Sequence, residues 1–138
     1  KLETSIMEVM QTTVDKEVPM KEEAAAFIAV LLHSGTIAHF QHLQTDSYAK
    51  HKALGKYYEG IVGLTDDFAE AFQGEYGVIK DYPADFHIEK DAVKYLDNLA
   101  QFVKESREAL PQDKPLQTLV DNIAVLIDST RYKLNNLS

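Results

Sequence analysis

Residues 74–90, GEYGVIKDYPADFHIEK, hold two glycines and a proline between two helical stretches on either side. Such a segment resists continuous helix, and it is too long for the tight turn that joins adjacent antiparallel helices. It reads as a connection that crosses a bundle. Upstream, Pro19 suits the first turn of a long helix, and Glu22 and Glu23 complement the positive end of its dipole. Ala24, Phe27, Ile28, Leu31, Ile37 and Ala38 recur at helical spacing up to about Gln44. After the polar break Thr45, Asp46 and Ser47, a second helix is expected to about Gln73, with Leu54, Tyr57, Tyr58, Ile61, Thr65, Phe68 and Phe72 on one face and Gly74 as its end. Downstream, helices over about 89–110 and 115–136 bury Val93, Leu96, Leu99, Ala100 and Val103, then Leu119, Val120, Ile123, Leu126, Ile127 and Leu134. Pro111 and Pro115 bracket the turn between them.

Two tight helix pairs joined by a longer central segment form an all-α, ferritin-like four-helix bundle with one long crossover between helices 2 and 3. Residues 1–138 are expected to be a single domain, in which 1–17 form an arm or a short amphipathic helix through Leu2, Ile6, Val9 and Met10. The chain has no cysteine, which excludes disulfides, thiolate metal sites and cysteine nucleophiles. KLETSIMEVM lacks the apolar centre of a signal peptide, and no apolar run approaches a membrane span, so a cytoplasmic protein is expected. The net charge of −8 opposes nucleic-acid binding, because phosphate neutralisation by Lys and Arg supplies most of that affinity. No phosphate loop, nucleophile elbow or Ser/His/Asp arrangement with credible context is present.

Four side chains point to metal chemistry. Asp66 and Glu70 stand one turn apart and share a helix face. His39 lies near the end of the preceding helix, and His51 near the start of the next, where the dipole favours the neutral, metal-binding imidazole. Nitrogen with carboxylate oxygen suits iron, with manganese or zinc as substitutes. From His51 to Asp66 the helix advances roughly 22 Å, so one subunit cannot close the site. Antiparallel pairing about a dyad near residues 58 and 59 would bring His51 of one copy opposite Asp66 and Glu70 of the other.

Other candidates have ordinary readings. His33 projects about 120° from His39, and His42 is either a group behind the ligands or solvent-facing. His87 reads as a surface residue and Asp67 as solvated. Glu59 lies near the proposed dyad, one turn beyond Gly55, and Tyr57 and Tyr58 read as packing.

The stretch 38–71, AHFQHLQTDSYAKHKALGKYYEGIVGLTDDFAEA, resembles the core of the Dps-type mini-ferritins, which carry two His twelve residues apart followed by D-x-x-x-E. The pattern departs from that family at Phe40, usually Trp, at Gly55, usually Asp, and at Ala71, commonly Arg. The chain also resembles small ferritin-like proteins encoded by bacteriophages. The resemblance implies a homodimer at least, a shell of twelve subunits, and Fe(II) oxidation by peroxide or oxygen with iron storage. His39 and His51 would come from one subunit and Asp66 and Glu70 from its mate, with Glu70 placed to bridge a second iron. The alternative is a ferritin-like interaction protein that has lost ferroxidase turnover.

Overall fold

The computed structural model describes the backbone from residue 2 and side chains over residues 20–138. Four helices, α1 (Leu2–Gln44), α2 (Tyr48–Tyr76), α3 (Ala92–Ala109) and α4 (Lys114–Asn136), make up the fold, and no strand occurs among the described residues.

The contacts fix the direction of every helix. The short link at 45–47 folds α2 back along α1, so that Phe27 meets Phe68 edge-on at 5.1 Å while His39 meets Tyr58 at the other end. Tyr76, at the foot of α2, donates to the Asp113 carboxylate just before α4, at 2.7 Å. The α3 helix starts at the opposite end, where the Gln41 side-chain amide donates to the Glu89 carbonyl at 2.6 Å. Residues 77–91 therefore run the length of the bundle, and His33 stacks on Phe86 part-way along at 4.2 Å. Consequently α2 and α3 run parallel, and α1 neighbours α2 and α3 while α4 neighbours the same two helices. The expected central crossing is present.

The core is built from the residues whose spacing marked the helical faces. Phe27, Leu31, Leu54, Tyr57, Ile61, Phe68, Phe72, Leu96, Ile123 and Ile127 are fully buried or nearly so, each worth roughly 1.5–3 kcal/mol in apolar burial. Tyr58, Leu119 and Leu126 lie at its margin. Arg107 with Asp121 (2.6 Å) and Arg131 with Asp97 (2.9 Å) tie α3 to α4 on the surface.

Three boundaries differ from expectation. The first helix begins at Leu2 and continues through Pro19, whose cost of one backbone hydrogen bond is local, since helix-compatible residues flank it. No separate short helix over 1–17 precedes it, and the packing of that segment lies outside the described side chains. The second helix passes Gly74 and ends at Gly77, whose φ of +99° and N–H bond to the Gln73 carbonyl terminate it. Among the described residues Gly77 alone has the positive φ that glycine allows without a Cβ clash. The third helix starts at Ala92 because Asp91 caps it, accepting from the Lys94 N–H. The expected absence of an apolar run of membrane-span length is also corrected: Met20–Gln44 is long and apolar enough by composition. Its Phe27, Ile28 and Leu31 are buried in the bundle core, which accounts for that apolarity.

Candidate functional site

The sharp α1–α2 turn brings three histidines and a tyrosine together. Ser47 caps α2, its hydroxyl accepting from the Lys50 N–H, and this fixes where His51 emerges. The His42 and His51 rings stack with centroids 3.6 Å apart. Nδ1 of His42 lies 2.6 Å from the His51 carbonyl, and Nδ1 of His51 lies 2.8 Å from the His42 carbonyl. A carbonyl only accepts, so both Nδ1 atoms carry the proton and donate. Nε2 of each neutral ring is then the lone-pair nitrogen. His39 stacks on Tyr58 at 4.0 Å and stands 6.0 Å from His42. His42 therefore clasps His51 across the turn rather than facing solvent. His87 is exposed in the connection, as expected.

This clasp explains Gly55. A Cβ there would come 3.2 Å from Cε1 and Nδ1 of His42, and the ring is held by its hydrogen bond and its stack and cannot retreat cheaply. Residue 55 is buried against His42, so it has no room for an added metal-binding acid. Gly55→Ala is accordingly expected to destabilise the fold by about 1 kcal/mol in denaturant titration. The crowding cost of roughly 1–3 kcal/mol outweighs a helix-propensity gain of roughly 0.5–1 kcal/mol.

Asp66 and Glu70 lie exposed on α2, and neither forms an ion pair among the described residues. The structure places His39 beside Tyr58 and His51 a further two turns up, so it does not bring the four candidate ligands together within one chain. Among the described residues no three His, Asp or Glu side chains are grouped to hold a metal ion. An open groove of about 810 Å³ lies over the upper half of α2, lined by His42, His51, Tyr58 and Glu59, by Lys133 of α4 and by Leu137 and Ser138 beyond it. The histidine clasp was missed because its signal, His42 and His51 flanking a three-residue turn, has meaning only once the turn geometry is known.

Residues 42–134 match a family of unknown function (DUF5856). The chain belongs to this family. It is also similar to an uncharacterised 14.6 kDa protein from the mobD-ri intergenic region of Enterobacteria phage T4, with 24% identity over 82% of this chain and 88% of the phage protein. No solved structure matches the chain. These findings correct the family reading drawn from residues 38–71: the match is to DUF5856, and nothing in it points to Dps-type mini-ferritins or another ferritin branch. The physical reason is that D-x-x-x-E is an ordinary pairing on a solvated helix face, where Asp66 and Glu70 lie exposed. Here one of the two motif histidines is engaged in a clasp with a histidine outside the motif, and the position of the missing acid is filled by a ring.

Proposed function

We propose that the protein is a cytoplasmic, metal-binding helical bundle of ferritin-like connectivity in which two copies pair antiparallel along α1 and α2 and share iron sites. His39 and His51 of one copy supply imidazole nitrogen, while Asp66 and Glu70 of the partner subunit supply carboxylates, with Glu70 able to bridge a second iron. The observation that carries this reading is the His51 ring, whose Nδ1–H is spent on the His42 carbonyl, leaving Nε2 as a fixed lone-pair donor. Metal-bound histidines are oriented in this way. The exposed carboxylates on the same helix, which make no ion pair among the described residues, and half-exposed Leu32 and Val62 on the α1–α2 face further support pairing. Iron is the substrate in this reading, with manganese or zinc as alternative ions, and Fe(II) is oxidised by peroxide or oxygen. A closed shell of twelve copies would serve storage. With a net charge of −8, nucleic acid is not a partner.

A second reading, a dimeric interaction protein without turnover, is favoured by Gly55, which withholds the additional acid. Titration of metal-free protein with Fe(II), followed by ferric absorbance with and without peroxide, separates the two. Saturable binding with accelerated oxidation supports the first reading. Saturable binding without acceleration supports the second, and no binding removes the metal site.

A further inference from the structure

On the α4 side of the groove, three lysines converge. Lys52 and Lys56 project from successive turns of α2, and Lys133 comes from the last turns of α4. Lys56 and Lys133 face the same groove from the two packed helices α2 and α4. Burial, followed by the Lys56 charge, holds the Lys133 ammonium below the usual lysine range. Among the described residues none of the three lysines makes an ion pair within 4.0 Å, although Glu59 lines the same groove. In a chain with 22 acids and 14 Lys and Arg, a lysine's nearest charged neighbour is more often an acid, so this convergence runs against composition. Tyr48 is 74% exposed at the rim, with the Lys52 ammonium 5.7 Å from its ring centre, and no acid occupies the first turn of α2.

We propose that this groove binds a phosphorylated small molecule through a diphosphate group held by Lys52, Lys56 and Lys133. Its size lies in the range of small-molecule sites, and charge-assisted bonds from several ammonium groups are the usual means of holding phosphate oxygens. Lys56 projects about 140° round α2 from His51, towards α4 and away from the α1 side used in the proposed pairing. His51, Tyr58 and Glu59 line the same groove, so the two sites adjoin, but the lysine contacts need no metal and are read separately in metal-free protein. The diphosphate is either free or part of a nucleotide, and Tyr48 offers an exposed ring on which the base of a nucleotide would stack.

Calorimetric titration of metal-free full-length chain with sodium pyrophosphate, ADP and adenosine tests the proposal. Pyrophosphate is expected to bind saturably at one site per chain, more weakly as salt is raised, and adenosine is not. ADP binding more tightly than pyrophosphate identifies a nucleotide as the source, and equal affinity identifies the bare diphosphate. Lys56→Gln and Lys133→Gln should each weaken binding about tenfold, the loss of one charge-assisted contact, and Lys56→Arg should restore it. Lys56→Gln should not lower the melting temperature, because Lys56 is exposed and makes no ion pair among the described residues, so lost binding there is not lost folding. Absence of saturable pyrophosphate binding, equal binding of adenosine, or unchanged affinity in both glutamine variants overturns the proposal. Each result is independent of whether iron binds.

Discussion

Tyr57→Ala is expected to lower the unfolding free energy by about 3–5 kcal/mol, the usual cost of emptying a buried aromatic position. Tyr57 is fully buried in α2 between the helices. Its hydroxyl lies 2.7 Å from the Ser34 hydroxyl, which spends its own proton on the Leu31 carbonyl at 2.6 Å. Tyr57 must therefore donate. Truncation both opens a cavity and leaves the Ser34 oxygen without its donor. Tyr57→Phe keeps the ring and should cost only about 1 kcal/mol, the net value of one hydrogen bond. Urea titration of the three proteins measures both values, and equal losses for the two variants would contradict the packing account.

The same residue links stability to pH. Burial pushes the Tyr57 hydroxyl well above the ordinary tyrosine value of 10.0, and burial does the same to Tyr95. Tyr76 is pushed up to about 12, chiefly by its hydrogen bond to Asp113. A raised folded-state value means that the folded protein resists losing the proton. The contribution is fully present below pH 10 and is lost as pH rises through the folded values. Unfolding by alkali is therefore expected above about pH 10, and Tyr57→Phe should reduce its steepness.

Much of this fold was legible from local pattern. Phe27, Leu31, Tyr57, Phe68, Ile123 and Ile127 sit at helical spacing, and helices with one apolar face have few ways to bury it. The connection was legible from its length and its Gly and Pro content. Gly74 and Gly77 were not distinguishable, because only the backbone angle at Gly77 shows which one leaves the helix. The candidate site was less legible. Asp66 and Glu70 declared their shared face through their spacing alone, whereas the His42–His51 clasp depends on how three residues turn. Gly55 read as a missing ligand and is instead the space the His42 ring occupies. The juxtaposition of Lys56 and Lys133 depends on α2 packing against α4, which no local pattern encodes. The likeness of residues 38–71 to mini-ferritins rested on the spacing of four side chains alone, and the DUF5856 match over 42–134 replaces it.

A site shared between two copies would have a distinctive genetic signature. His51→Ala and Asp66→Ala should each abolish Fe(II) binding in their own homodimers, because each removes a ligand from both sites. In a mixed dimer, one site receives both lesions and the other receives neither. The decisive measurement is Fe(II) binding by a heterodimer of His51→Ala and Asp66→Ala chains, isolated by two different affinity tags after subunit exchange. The account predicts about one restored site per heterodimer, half the capacity of the parent dimer. Heterodimers that form but bind no Fe(II), or a parent chain that sediments only as a monomer, would contradict it.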